Sequence, residues 1–337
     1  MKDYEAFHAG DITLQNGSTL DNATIAYATY GKLNKARDNV IVYPTFFGGS
    51  HVENEWLIGE GLALDPSRYF IVVPNLVGNG FSTSPSNSVT SPGPSFPLVT
   101  IYDNVKLQHR LLTEQFGVRR VALAVGWSVG AQQAFHWGAL YPDYVERIAP
   151  FCGSARTSRH NFVFLEGVKA ALKADQSFEG GAYRKPPIEG LKAFARVYAG
   201  WGFSQAFYRA ECDIKDLGFP SLEAFILGVW EARFTKADAN NLLSMIATWQ
   251  AADISANTTY GGDFSRALGS IKARALVMPC KTDLYFPPED SEIEVSQMPN
   301  AELKVIPSIW GHSAGALGRN KTDAAFIDQA IKDLLSA

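Results

Sequence analysis

The chain has 337 residues, 46% of them hydrophobic, with 30 Lys and Arg against 34 Asp and Glu and a formal net charge of -4. That is enough chain to bury a large core, and the charge is too evenly balanced for a polybasic nucleic-acid footprint. The three cysteines, Cys152, Cys212 and Cys280, are far apart and show no metal-ligand spacing, which argues against both a disulfide framework and a zinc site.

Met1 to Gly10 includes Lys2, Asp3, Glu5 and His8 and lacks the apolar stretch of a signal peptide. No run is long enough to span a bilayer. With the odd number of cysteines, this points to a cytoplasmic protein in a reducing compartment. The first third reads as strands joined by turns. Ile12 to Leu14 and Thr24 to Tyr30 flank Gln15-Asn16-Gly17, a hairpin-like turn. Val40 to Tyr43 and Tyr69 to Val73 are continuous apolar runs that stop at Pro44 and Pro74, the pattern of parallel strands buried on both faces. Ser82 to Pro97 is rich in Ser, Pro, Thr and Asn and reads as a long surface loop. The spacing of Val105, Leu107, Leu111, Leu112 and Phe116 predicts a helix over 102–116, stopped by Gly117. A strand at Val121 to Val125, a helix at Ser128 to Leu140 and a strand at Val145 to Phe151 follow.

From about residue 155 the texture changes. Helical, aromatic-rich stretches recur at Phe162 to Leu172, Leu191 to Tyr198, Leu222 to Trp230 and Leu242 to Trp249. Strand patterns return at Ala275 to Met278 and Leu303 to Ile306, and Asp323 to Leu335 predicts a closing helix. The expected architecture is a doubly wound, mostly parallel α/β core, residues 1–154 and 261–337, interrupted by a helical cap over 155–260. Several of Trp201, Tyr208, Trp230 and Trp249 are expected to wall an apolar pocket beneath that cap.

Gly126-Trp127-Ser128-Val129-Gly130 matches G-x-S-x-G, the nucleophile elbow. The serine of such a motif sits at a sharp strand-to-helix turn, where bulk on either side would strike neighbouring backbone. A second match, Gly311-His312-Ser313-Ala314-Gly315, competes with it. Context favours the first, which has a buried strand before it and a helix after it. The second follows Pro307 and Trp310, runs into Gly315 and Gly318, and leaves no room downstream for an acid and a histidine.

A serine needs a base within hydrogen-bond reach. Of six histidines, His8 lies in the N-terminal tail, His109 and His136 fall inside predicted helices, and His160 opens the insertion. His312 follows the last predicted strand and is the base expected here. The acid should end a late strand, and Asp283 does so after Ala275 to Met278; its task is to hold the imidazole tautomer. The developing oxyanion needs two backbone donors, expected from Val129 and from Phe46 in the loop Pro44 to His51. His51 in that loop and Trp127 in the elbow are candidate substrate contacts.

Together these residues resemble the homoserine O-acetyltransferase family, a branch of the α/β-hydrolases, over most of the chain. Phe46-Phe47-Gly48-Gly49-Ser50-His51 looks like that family's oxyanion loop. Asp175 to Tyr183, followed by Pro187, Gly190-Leu191 and Ala195-Arg196, looks like its cap signature. Asp283-Leu284-Tyr285-Phe286-Pro287-Pro288 looks like its acid motif and Gly311-His312 its histidine motif. The resemblance implies an α/β-hydrolase fold, a Ser128–Asp283–His312 triad, Arg196 as a carboxylate contact and a homodimer through the cap. The chain departs from the family at the elbow, where Trp127 and Val129 replace Gly and Met. It departs again after His312, where Ser313 replaces the Asp that helps hold an amino group. The expectation is hydrolysis of an ester, thioester or amide of a small molecule through an acyl-Ser128 intermediate. The alternative is O-acetyl transfer from acetyl-CoA to an alcohol, and a non-catalytic binding protein is the reading from another class. No cofactor, metal, nucleic acid or membrane partner is expected.

Overall fold

The structure, a computed structural model, describes residues 3–336. Its central strands form where the chain has short, continuous apolar runs. β1 (Glu5–Thr13) and β2 (Thr19–Tyr30) make an antiparallel hairpin around the expected turn, with Gly17 at φ 85°. β3 (Val40–Val42), β4 (Phe70–Pro74), β5 (Val121–Trp127), β6 (Arg147–Phe151), β7 (Arg274–Val277) and β8 (Ala301–Leu303) complete one sheet. The strand order is β1-β2-β4-β3-β5-β6-β7-β8. β2 pairs antiparallel with both neighbours, and every pairing from β4 to β8 is parallel. Residues 40–42 and 71–73 are wholly buried, as strands covered on both faces require.

Helix α1 (Ile101–Arg110) is started by a capping box in which Thr100 and Asp103 satisfy each other's backbone N–H groups. α2 (Val129–Leu140) leaves β5 directly and is buried at every position from Val129 to Ala139, so it lies inside the fold, packed on β5, β6 and α1. Between β6 and β7 the described elements are all helical. α3 (Arg159–Lys173) packs on α4 (Ile188–Gly202) and on the helix Ala239–Gln250, and short helical turns fill the stretch from Gln205 to Phe234. The helix Lys321–Ser336 closes the chain with Ile327, Ile331 and Leu334 inward. Among the described residues no helix is long and apolar enough to cross a membrane.

Three expectations change. His8 is in β1, its ring 3.2 Å from Thr24 Oγ1, and not in a tail. The stretch from Ser82 is not wholly a surface loop, since Ser82 and Ser84 are fully buried. Short side chains reach backbone there: Ser82 Oγ donates to Asn75 O at 2.7 Å and accepts from Ala26 N at 3.1 Å, so polar residues fill the edge of the core without orphaned groups. The last strand is Ala301–Leu303 rather than 303–306, because regular pairing with β7 ends there. One isolated bridge, Cys280 to Ile306, carries the contact further.

Candidate active site

β5 ends at Trp127, and the chain reverses into α2 through Ser128 at φ 59°, ψ -124°. That backbone conformation is costly for any residue with a Cβ and persists only where the surroundings impose it. Three glycines make the space. A Cβ on Gly126 would lie 2.2 Å from Gly130 backbone, one on Gly130 would lie 2.9 Å from Pro44 O, and one on Gly153 would lie 2.7 Å from Ser128 O. Ser128 N donates to Phe151 O at 3.1 Å, and Ser128 O accepts from Ala131 N and Gln132 N. The serine thus stands at the N-terminus of α2, where backbone N–H groups and the helix dipole favour negative charge. Among the described residues no acceptor takes the N–H of Phe46 or of Val129.

The strand end after β7 and the loop after β8 bring the other two groups together. His312 Nδ1 lies 2.8 Å from Asp283 Oδ2, with both side chains almost completely buried. Asp283 Oδ1 accepts from Tyr285 N and Phe286 N, each at 3.1 Å, so the carboxylate is oriented by its own turn. Thr282 Oγ1 donates to Ser308 O at 2.9 Å and accepts from Gly311 N at 3.1 Å, which ties the acid loop to the histidine loop. Trp127 stacks on the imidazole with ring centres 4.8 Å apart, and its Nε1 donates to His312 O at 3.2 Å. The glycines of the second G-x-S-x-G match serve this packing. Gly311 has φ 61° where a Cβ would strike Ser204 N, and a Cβ on Gly315 would lie 2.6 Å from the Trp127 ring. Ser313 itself donates to Gly202 O at 2.9 Å.

Ser128, His312, Phe46 and Trp127 line one cavity of about 60 Å³. Across it stand side chains from the inserted helices, among them Tyr198, Trp230 and Arg233. Burial raises the Tyr198 and Tyr285 hydroxyls far above the usual phenol range, so both are neutral. Among the described residues no carboxylate lines the cavity, and the two charged ones that do are Arg233 and the exposed Arg319.

Two expected substrate contacts lie outside this cavity. His51 is buried beside the N-terminal segment, its Nδ1 3.1 Å from Asn75 Nδ2 and its Nε2 3.4 Å from Asp3. Arg196 pairs with Glu223 at 2.5 Å and Glu231 at 2.6 Å on the helical surface, so its charge is already matched. Of the four insertion aromatics singled out, only Trp230 lines the cavity. Trp249 is fully buried against Phe47 and Phe286, Trp201 packs on Phe164, and Tyr208 donates to Ala199 O at 2.6 Å. Of the remaining histidines, His109 stacks on Tyr141 at 4.1 Å, and His136 is buried with its pKa lowered to about 4 by desolvation. Sequence reasoning missed Phe47, Tyr198, Arg233 and Arg319. The density of aromatics between 194 and 234 was a signal for the second; nothing local distinguishes the two arginines.

Against known proteins, the profile of a family described as alpha/beta hydrolase fold matches residues 38–315. An ethyl acetate hydrolase from Pseudomonas veronii is 41% identical, with 99% of this chain and 96% of that protein covered. A homoserine O-acetyltransferase from Trichormus variabilis is 32% identical, covering 89% of this chain and 86% of that protein. The solved structure of the acetyl esterase MekB superposes with a TM-score of 0.96 at 40% identity, covering 99% of this chain and 97% of that one.

Proposed function

The chain belongs to the alpha/beta hydrolase fold family and is an ester hydrolase, and on that premise we propose that Ser128, His312 and Asp283 cleave short-acyl esters, acetates foremost. The observation that carries this reading is the buried 2.8 Å bond between Asp283 and His312 beside the cavity that also holds the strained Ser128. Ser128 Oγ attacks the ester carbonyl carbon while His312 takes its proton. Asp283 keeps the imidazole in the tautomer with a proton on Nδ1 and stabilises the imidazolium. The carbonyl oxygen becomes an oxyanion facing the N–H groups of Phe46 and Val129. The ester C–O bond then breaks, His312 returns the proton to the departing alcohol, and the acyl group stays on Ser128. Water, deprotonated by His312, repeats the sequence and releases the acid.

Two features support a small acyl group and water as acceptor. The cavity of about 60 Å³ beside Ser128 offers room for a short acyl group. Homoserine needs a partner for an ammonium group, yet among the described residues no carboxylate lines the cavity, and Ser313 donates its hydroxyl to Gly202 O. An ammonium desolvated beside arginines and no anion loses recognition. Residues 155–260 are proposed to act as the cap, supported by the side chains that Tyr198, Trp230 and Arg233 place across from Ser128. No cofactor takes part. Initial rates on p-nitrophenyl acetate test the assignment. Ser128→Ala or His312→Ala should lower kcat by up to about a million-fold and Asp283→Ala by about ten-thousand-fold. Turnover near wild type in Ser128→Ala would remove the nucleophile from the scheme.

A further inference from the structure

The loop of residues 44–51, which carries the Phe46 N–H, is anchored mainly from the core. Leu76 N donates to Thr45 Oγ1 at 2.9 Å, Gln133 Nε2 to Thr45 O at 2.8 Å, and Asn79 Nδ2 to Gly49 O at 3.0 Å. Among the described residues one side chain of the inserted helices also hydrogen-bonds to this loop. Arg233 Nη2 donates to Gly48 O at 2.9 Å, and Arg233 Nη1 pairs with Glu53 Oε1 at 2.6 Å. The second oxygen of Glu53 accepts from Ser50 N at 3.0 Å. The guanidinium therefore grips the loop at Gly48 directly and at Ser50 through Glu53. It does so beside the position of Phe46, which is itself packed on Trp127 at 4.4 Å. Arg233 also lines the cavity.

We propose that Arg233 is a positioning residue for the oxyanion hole, locking the loop from the inserted helices so that the Phe46 N–H stays aimed at the reacting carbonyl oxygen. This rests on the reading of Phe46 as an oxyanion donor. An oxyanion donor acts within a few tenths of an ångström, and small misplacements are costly. A planar two-donor fork fixes both the distance and the orientation of the loop; a lysine ammonium is a point charge on a flexible stem and lacks that fixed geometry. Gly48 sits at φ 67°, a conformation its missing Cβ permits without fixing, so the bond from Arg233 adds to the Gly49 N to Phe46 O bond of 3.0 Å that closes the turn. The seat of the inserted helices and the geometry of the hole are thereby linked through one side chain.

The test uses the full-length enzyme with p-nitrophenyl acetate and with a trifluoromethyl ketone, whose adduct with the serine carries the oxyanion. Arg233→Met should lower kcat by about 10- to 100-fold and change KM by less than about threefold. Ketone affinity should fall by the same factor as kcat/KM. Arg233→Lys should fall between wild type and Arg233→Met. If Arg233→Met does not fold, Arg233→Lys and Glu53→Gln carry the test and must show the same parallel loss of turnover and ketone affinity. In folded variants, a loss confined to KM, or ketone affinity unchanged, overturns the proposal while leaving the serine mechanism intact. A wild-type enzyme that the ketone fails to inhibit overturns the oxyanion reading, and this proposal with it.

Discussion

Ser128 has two demands on it, because the turn that sets it against the cavity also holds it at φ 59°. A residue with a Cβ in such a conformation costs about 1–3 kcal/mol, and the surrounding fold bears that cost. Ser128→Gly removes the strain along with the nucleophile, whereas Ser128→Ala removes the nucleophile alone. Both should be inactive, and Ser128→Gly should melt at a higher temperature than Ser128→Ala by calorimetry. An equal or lower melting temperature would mean that the backbone here is not strained. The residues of this centre were legible because each sits at a place that the chain itself marks: a glycine-framed turn after a strand, and two strand ends. Arg196 and His51 were misjudged for the opposite reason. Their partners, Glu223 and Glu231 for one and Asn75 and Asp3 for the other, are distant in sequence, and no local pattern shows that an arginine is already neutralised. Arg196→Ala should therefore leave kcat/KM for p-nitrophenyl acetate within about twofold of wild type, the usual result for a surface ion pair away from the chemistry. A tenfold loss would return Arg196 to the site.

Elements were legible in proportion to how much of their reason for existing is local. The buried runs at β3, β4 and β5 declare themselves. β8 does not, because its limits are set by where β7 stops pairing. The burial of Ser82 was hidden because one of its partners, Ala26 N on β2, is 56 residues away in the chain and reaches it only through the fold. A similar hidden link joins the helix Pro288–Val295 to the start of the inserted segment. Glu294 is buried, its Oε1 accepts from Ala155 N at 2.6 Å, and its Oε2 has no partner among the described residues. Burial pushes this carboxyl up to about 8, with Asp290 adding repulsion. Its ordinary value is 4.5. Below that value the acid is protonated whether the chain is folded or not. As pH rises towards 8, only the unfolded chain releases the proton, so stability falls across that window and levels off above it. Glu294→Gln cannot ionise and should flatten the dependence. Its melting temperature relative to wild type should be higher at pH 8 than at pH 5; the same difference at both pH values would show that Glu294 is ionised in the fold.

At the scale of the whole molecule, strand ends of the sheet bring Ser128, Asp283 and His312 together, and side chains of the inserted helices line the cavity beside them. Tyr198, Trp230, Arg233 and Phe234 come from segments that precede β7, while His312 follows β8, so the cavity exists only once the chain is folded. Its size could not be read from the sequence, because it depends on how aromatic rings of separate helices fill space. On the proposed reading, in which the acyl group sits in the cavity of about 60 Å³, acetyl is favoured over longer acyl groups. kcat/KM should fall by roughly tenfold or more from p-nitrophenyl acetate to the hexanoate; equal rates would show that the helices move aside for longer chains. The central claim is that acyl groups pass through Ser128 to water. Rapid quenching of wild-type enzyme during turnover of p-nitrophenyl acetate, followed by intact mass and peptide mapping, tests it most directly. The account predicts one acetyl group, located on Ser128, that is lost to water at a rate L-homoserine does not increase. An acetyl group on another residue, or one discharged to form O-acetylhomoserine, would contradict it.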